Sequence, residues 1–302
     1  MAQTRTIGLI GVPSSAGAHW PGQEKAPQYL RRAGLVKRLE ASGATVVDYG
    51  DLPVVRFWPD QAHPKQQNLS RVVDIVTHTA DRIEVALQRQ ETPLVIGGDC
   101  TISLGVITGF LRHGVDVGLM YFDGHIDLNT PATATSGILD SMGMAHMIGE
   151  AGVTEELSRI GPRFPLLSED KIVVFGYNPD EMNAWEPDVL ARHPLLNYPV
   201  AHVQGRAREM ATEALTQLEE RAERFVVHFD VDVIDFVDFP IADVPQINAG
   251  LTFRDAMTCL EVFVSSPQFA GLTITEFNPD HADEAGTLAV TFIESVVSVL
   301  MR

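Results

Sequence analysis

Two short segments of the chain place acidic and imidazole side chains at every second position. They follow apolar runs at residues 117–122 and 225–229, and their polar members are Asp123, His125, Asp127, Asp230 and Asp232. Because alternate side chains of an extended segment point the same way, each set converges on one side of the backbone. Helix caps and turns favour single Asp residues, but they do not explain two alternating sets. The spacing therefore predicts a metal site.

The donor atoms of this predicted site indicate its chemistry. Carboxylates held this close repel one another and raise one another's pKa unless a cation lies between them. An oxygen-rich set that also holds an imidazole suits Mn, Fe, Co or Zn better than a structural thiolate site would. Four carboxylates can hold two divalent ions with shared Asp ligands, and a two-metal site makes hydroxide available near neutral pH.

The elements that must position these side chains alternate between strand and helix along the chain. Strands are predicted at residues 7–12, 44–48, 93–98, 115–122, 171–176, 225–230 and 269–276, and helices between them. We see no linker or repeat, so this rhythm favours one domain, residues 1–302, built on a doubly wound parallel α/β sheet. A TIM barrel of similar length is the alternative, and in both architectures the site lies at the carboxyl ends of the strands.

The charge and the cysteine content of the chain indicate which binding partners and which cellular compartment to expect. The 302 residues carry a net charge of -18 at pH 7, which disfavours binding to nucleic acid or to an anionic membrane surface. Cys100 and Cys259 are far apart and form no disulfide framework, which suits a reducing cytosol. No apolar run is long enough to cross a membrane. We therefore expect a cytoplasmic protein with a small-molecule substrate.

Three motifs in a fixed order resemble the arginase or ureohydrolase family. They are Gly-Gly-Asp at residues 97–99, Asp-Gly-His-Ile-Asp at 123–127 and Asp-Val-Asp-Val-Ile-Asp at 230–235. Further similar segments lie at residues 11–17, 129–137, 250–252 and 275–279. The run after Asn129 is closer to true arginases than to agmatinases. The resemblance implies a three-layer α/β/α fold, a centre of two Mn²⁺ ions, hydrolysis of a guanidino group, and a homotrimer or homohexamer.

The resemblance also implies a role for individual residues. Asp123 and Asp230 would bridge the two metals, Asp127 would bind the first metal and the bridging hydroxide, and His125 and Asp232 would bind the second. Glu276 would hold the guanidinium group. The α-carboxylate of an amino-acid substrate would meet Asn129 and Ser136, and its α-amino group would meet Glu181 or, less directly, Asp180.

Cys100 is the first departure from the family pattern, because it stands where the family has a histidine ligand of the first metal. Thiolate is a soft ligand and a poor match for Mn²⁺. The first site is therefore weakened, or it prefers Fe, Co or Zn, or Cys100 is a neutral thiol that binds no metal. The chain resembles in this respect the hydroxyarginine hydrolases of cycloserine biosynthesis, which release hydroxyurea from N-hydroxyarginine.

Asp140 is the second departure, because it replaces the histidine of the arginase substrate loop. It could act as an acid or base only if burial or neighbouring carboxylates raised its pKa. Otherwise it would pair with a cationic part of the substrate, or cap the helix predicted at residues 142–148. Ile138 and Ala134 also replace polar family residues, which puts L-arginine itself in doubt. We expect His146 on a helix surface and His228 packed within its strand.

These observations favour a metal-dependent amidinohydrolase that acts on an arginine-like or N-hydroxyarginine-like substrate and releases urea or hydroxyurea. Two alternatives remain open. A relative that has lost catalysis would bind a ligand or act as a scaffold on the same fold, as the loss of two histidines suggests. A hydrolase of a formimino or ureido group would keep the metal chemistry with another substrate.

Overall fold

The computed structural model describes residues 5–283 and 285–302. Its centre is a parallel sheet of eight strands in the order β2-β1-β3-β8-β7-β4-β5-β6. The strands are β1 Thr6–Gly11, β2 Thr45–Asp51, β3 Thr92–Ile96, β4 Val117–Phe122, β5 Ile172–Phe175, β6 Leu196–Tyr198, β7 Arg224–Asp230 and β8 Phe269–Thr275. The sheet is open, with β2 and β6 at its edges, which excludes the TIM barrel alternative.

Helices connect the strands and cover both faces of the sheet. They are α1 Ala26–Arg32, α2 Leu35–Ala41, α3 Leu69–Gln88, α4 Ile102–Arg112, α5 Gly143–Ile148, α6 Glu155–Ser158, α7 Glu186–Arg192, α8 Val200–Val203, α9 Ala207–Glu219, α10 Phe253–Val264 and α11 Thr287–Leu300. None of the helices within the described residues is both long and apolar enough to cross a membrane.

Two apolar cores show why the fold has three layers. Side chains alternate across β3, so that Leu94 and Ile96 join one core while Val95 joins the other. Residues of α1, α2, α9, α10 and α11 fill the first core, and residues of α3, α4 and α5 fill the second. Both faces of the sheet are thus buried, as continuously apolar parallel strands require. The predicted three-layer α/β/α class is confirmed.

The four central strands, β3, β8, β7 and β4, are neighbours in the sheet and deliver the polar residues. Phe122 pairs with Phe229, and Asp230 pairs with Thr275, so the strands end at nearly the same level. Because all the strands are parallel, the segments after Ile96, Phe122, Phe229 and Thr275 meet at one edge.

Some predicted elements differ from the observed ones at their ends. The helix expected at residues 206–224 is α9, which stops at Glu219 because the chain must turn before β7 begins at Arg224. The helix expected at residues 153–160 forms only at Glu155–Ser158. Strand β6 was not predicted, since its three residues are too few to show a period.

Candidate metal centre and active site

A tight approach between two loops positions the segment after β3. A Cβ added to Gly98 would lie 1.5 Å from the backbone oxygen of Ser14, so only glycine fits there. The carboxylate of Asp99, which is fully buried, accepts hydrogen bonds from the Ser14 hydroxyl at 2.9 Å and the Gly17 amide at 3.1 Å. Asp99 thereby anchors the loop and leaves the next residue, Cys100, facing the site.

Cys100 lies among the carboxylates that the resemblance assigns to the first metal. Its Sγ is 2.7 Å from Asp230 Oδ2, 3.3 Å from Thr275 Oγ1 and 4.0 Å from Asp123 Oδ2. Burial, followed by repulsion from these carboxylates, raises the pKa of the thiol well above its ordinary value. Without a cation the sulfur therefore keeps its proton and donates it to Asp230.

The second predicted ligand group brings together His125, Asp123 and Asp232. Nδ1 of His125 lies 2.8 Å from Asp232 Oδ2 and 3.9 Å from Asp123 Oδ1. Donor atoms of these three residues all lie within 4.8 Å of one another. The Gly124 amide donates to the other oxygen of Asp232 at 2.9 Å and holds that side chain in place. Two carboxylates and an imidazole fit a divalent cation.

The electrostatics of this edge agree with the donor chemistry. Burial raises the pKa of Asp123, Asp127 and Asp230 well above the ordinary value, and repulsion from neighbouring carboxylates raises it further. Burial lowers the pKa of His125, but Asp232 and the other carboxylates outweigh this effect and raise it overall. These carboxylates would ionise fully only with positive charge between them, so the residues fit the two divalent ions that the family resemblance implies.

His228 packs within β7 as predicted, and it also reaches the candidate first metal site. Its ring stacks on Tyr121 with centroids 4.3 Å apart, and its Nδ1 lies 2.6 Å from the Ser103 hydroxyl. Its Nε2 is 3.3 Å from Asp123 Oδ2, and burial lowers the pKa of His228 to about 3, so the ring is neutral. The spacing of two that links His228 to Asp230 was the signal that could have placed it here.

Asp127 and Glu276 share an unusual backbone. Their φ angles are 52° and 59°, in the left-handed region that residues other than glycine rarely adopt. The Tyr121 hydroxyl donates to the Asp127 carboxylate, and the Glu276 amide donates to the Gly98 carbonyl at 2.9 Å. Such strain is kept where the surroundings over-determine the conformation, as at active sites.

The side chain of Glu276 is 1% exposed and is only half satisfied. Its Oε2 accepts a hydrogen bond from Gln23 Nε2 at 3.4 Å, whereas its Oε1 has no hydrogen-bond partner within the described part of the chain. A buried carboxylate oxygen without a partner is costly. Glu276 therefore has one free oxygen for a ligand.

A cavity of about 190 Å³ contains both ligand groups and Glu276. Asn129 and Glu181 line it, as expected for substrate-binding residues. Its walls, as far as the described residues show, include neither Asp180 nor Ser136. The backbone oxygen of Ser136 instead accepts a hydrogen bond from Gln67 at 2.7 Å.

Two further polar residues line the cavity that the sequence did not indicate. Glu186 Oε1 accepts hydrogen bonds from Asn129 Nδ2 at 3.1 Å and from the Leu128 amide at 3.0 Å. Asn183 Nδ2 donates to Asn129 Oδ1. These contacts join segments more than 50 residues apart, and no local spacing in the sequence announces them.

Asp140 lines the cavity and does not cap α5. Its Oδ1 accepts a hydrogen bond from the Cys100 amide at 2.7 Å, while the residue that precedes α5 makes no side-chain cap. Burial raises the pKa of Asp140 well above its ordinary value, and repulsion from Asp99 and Asp127 raises it further. The pKa of Asp140 is thus shifted upward, as acid–base catalysis by this residue requires.

The position of His146 in α5 differs from the one expected from the sequence. His146 was expected on a helix surface, but it is fully buried: Nδ1 lies 2.7 Å from the Met142 carbonyl and Nε2 accepts from the Thr154 amide at 3.1 Å. Every residue of α5 is buried, and Met144, Met147 and Ile148 belong to the second apolar core. Ile138 lines the cavity and contributes an apolar side chain to a wall that also holds Asp140 and Ser141.

Comparison with known proteins identifies the family. The sequence model of the Arginase family matches residues 5–300. The chain belongs to the arginase family. It is 31% identical to arginase-1 of Homo sapiens over 284 residues, which cover 92% of this chain and 86% of that one. It is 28% identical to the arginase of Bacillus caldovelox over 298 residues, or 97% and 98% of the two chains.

The fold agrees with this assignment. The solved structure of Bacillus caldovelox arginase superposes with a TM-score of 0.89 at 25% identity, and the match covers 99% of this chain and 98% of that one. The arginase-family member described here is thus an enzyme of the ureohydrolase class, as predicted from its motifs.

Proposed function

We propose that this chain hydrolyses a guanidino C–N bond of an arginine-like or N-hydroxyarginine-like substrate with the help of two divalent cations, Mn²⁺ by family resemblance. One observation carries the proposal. Two groups of metal-ligating side chains, which share Asp123, open into the same cavity as the free carboxylate oxygen of Glu276. By family resemblance, the first ion would be held by Cys100, Asp123, Asp127 and Asp230, and the second by His125, Asp123, Asp230 and Asp232. When bound, the ions supply Lewis acidity that makes water a nucleophile near neutral pH.

The chain's own residues would orient the substrate and move protons. Glu276 holds the guanidinium group through charge-assisted hydrogen bonds, which replace the missing partner of its Oε1. Asp127, fixed by Tyr121, accepts a proton from the attacking water. Asp140 then donates a proton to the leaving amine, since burial and neighbouring carboxylates raise its pKa and favour its protonated form.

The far end of the substrate would meet the polar wall opposite Glu276. Asn129 remains the candidate contact for an α-carboxylate, and Glu181 for an α-amino group, because both line the cavity. Ser136 could join them only if its loop moved on binding. The substrate is therefore a small cationic guanidino compound, and a homo-oligomer, trimer or hexamer, remains our expectation for its assembly.

The experiment is a metal-controlled assay. Chelator-treated protein is reloaded with Mn²⁺, Fe²⁺, Co²⁺ or Zn²⁺, and urea and hydroxyurea are measured with arginine, N-hydroxyarginine, agmatine and guanidino acids. Glu276→Gln should retain the Mn²⁺ content of the wild type and lose turnover, because it removes only the charge that binds the guanidinium. Asp74→Asn, an exposed carboxylate on α3, serves as the matched control.

Two outcomes would redirect the proposal. Absence of bound metal, together with a melting temperature that Mn²⁺ does not raise, would favour the catalytically silent relative suggested by Cys100 and Asp140. Bound metal with turnover only of a formimino or ureido compound would retain the chemistry and change the substrate class.

A further inference from the structure

The acidic lining of the cavity exceeds what a two-ion centre and a guanidinium group can neutralise. Eight carboxylates line the cavity, and no Lys or Arg from the described part of the chain does. Burial lowers the pKa of His19, at the cavity wall, and so disfavours a positive charge on its ring. Two divalent cations balance only four of the carboxylates. The cavity has room, electrostatically, for further positive charge.

Two of these carboxylates, those of Asp140 and Glu276, lie close to the thiol of Cys100. Donor atoms of Cys100, Asp140 and Glu276 lie within 4.8 Å of one another, in a group separate from the one formed by Cys100, Asp123, His228 and Asp230. The Cys100 amide fixes Asp140 through its Oδ1. Glu276 adds the buried, unpartnered Oε1, which is an independent sign that this side of the thiol faces a ligand.

We propose that Cys100, Asp140 and Glu276 form a further divalent-cation site, selective for thiophilic ions such as Zn²⁺, that overlaps the guanidinium position and blocks it when filled. The blocking consequence rests on the proposed function, whereas the binding of the ion does not. Neither Asp140 nor Glu276 belongs to the two ligand groups assigned to the Mn²⁺ centre, and only Cys100 would be shared with the first of them. The site exists because Cys100 and Asp140 both stand where the family pattern has histidine.

The geometry suits a tetrahedral ion. Zinc binds thiolate at about 2.3 Å and carboxylate oxygen at about 2.0–2.2 Å, so ligands around it lie about 3.3–3.8 Å apart. The donor atoms of the three side chains lie within 4.8 Å of one another, so such an ion needs at most small shifts of these side chains. A fourth position remains open to water in the cavity. The thiolate and carboxylate set favours Zn²⁺ or Co²⁺ over Mn²⁺, for which thiolate is a poor match.

Cobalt reports directly on such a site, because a Co²⁺–thiolate bond gives charge-transfer absorption in the near ultraviolet that Mn²⁺ does not. The protein is loaded with Mn²⁺ and then titrated with Co²⁺. We expect a charge-transfer band that is lost in Cys100→Ser and is retained in Cys259→Ser, which changes a thiol buried in α10 outside the cavity. In Asp140→Asn and Glu276→Gln the band should require at least about tenfold more Co²⁺.

The outcomes separate this inference from the proposed function. If the band appears at the same Co²⁺ concentration in wild type, Asp140→Asn and Glu276→Gln, the thiolate binds only an ion of the two-metal centre. The inference would then be wrong. Absence of any band would also overturn it. Displacement of the band by arginine would support overlap with the guanidinium position, and a band unaffected by guanidino compounds would contradict it. Cobalt binding that depends on Asp140 in a protein without turnover would leave the site standing while the proposed function fails.

Discussion

Replacement of Asp230 by Asn should separate the stability of the fold from the stability that metal adds to it. Asp230 is buried, touches Cys100, and accepts a hydrogen bond from the Asp232 amide at 2.8 Å. Asn keeps the shape and an acceptor oxygen but removes the charge that would bridge two ions. The variant should fold, and it should lose most of the response to Mn²⁺.

The rise in melting temperature on Mn²⁺ binding follows from the occupancy of the site. Metal at about 100 times its dissociation constant stabilises the folded state by about 2.7 kcal/mol. An unfolding entropy of about 2.1 cal/mol/K per residue over 302 residues converts this to a rise of about 4 °C in melting temperature. If Asp230→Asn weakens binding about 10- to 100-fold, the same Mn²⁺ concentration adds only about 0.4–1.4 kcal/mol, or about 1–2 °C.

Without metal, the Asp230→Asn variant should no longer have the lower melting temperature of the two proteins. Burial and repulsion from Asp232 raise the pKa of Asp230 above its unfolded value, so the stability linked to its proton is present at low pH and is lost as pH rises. Above neutral pH, metal-free Asp230→Asn should therefore melt no lower than metal-free wild type.

Differential scanning fluorimetry with chelator or Mn²⁺ at several pH values tests both points, with Asp74→Asn as control. An undiminished Mn²⁺ response in Asp230→Asn would refute the ligand assignment. A metal-free variant that melts far below the wild type would refute the electrostatic reasoning.

Three further changes test separate parts of the reasoning. Cys100→His should raise bound Mn²⁺ toward two ions per chain by elemental analysis, and unchanged stoichiometry would argue against position 100 as a ligand. Gly98→Ala should destabilise the fold by about 3 kcal/mol in chemical denaturation, because its Cβ would meet the Ser14 carbonyl; Gly143→Ala, whose Cβ meets its nearest atom at 3.9 Å, should not. His193 bonds Glu169 at 2.7 Å and also Glu150. Burial lowers the pKa of His193, but these bonds raise it overall, so their stabilisation is present at low pH and fades as pH rises. His193→Gln should lower the melting temperature more at about pH 5 than at about pH 9, and an equal loss at both would contradict this sign.

Local pattern predicted the class of fold and the chemistry of the strand ends. Apolar runs and their polar terminators show which residues leave the carboxyl end of a strand, and this suffices to place Asp123 and Asp230 at the same edge. The order of the strands across the sheet is a long-range property, because β8 lies beside β3 although four other strands come between them in the chain. Alternation alone does not reveal that order.

The substrate side of the cavity was harder to predict for the same reason. Glu186 and Asn183 contact Asn129 across more than 50 residues, so their place in the site depends on where α7 packs. His146 was misplaced because α5 is buried on all sides, which removes the amphipathic signal that distinguishes a surface. Resemblance supplied Ser136 from its position in a motif; its hydroxyl accepts a hydrogen bond from the Ile138 amide at 3.4 Å, and it is not among the described residues that line the cavity.

The neighbouring positions of β3, β8, β7 and β4 in the sheet have a consequence for how the protein matures. Cys100 and Glu276 follow strands that are far apart in the sequence, β3 and β8, and the Glu276 amide bonds to the Gly98 carbonyl. Long-range pairing of this kind forms late in folding, since the loop between the strands must close first. The first ligand group, which joins Cys100 after β3 to Asp123 after β4 and Asp230 of β7, is therefore complete only when β8 has inserted between β3 and β7. Metal uptake by this group reports that insertion, and a fragment that ends before β8 has no complete active site.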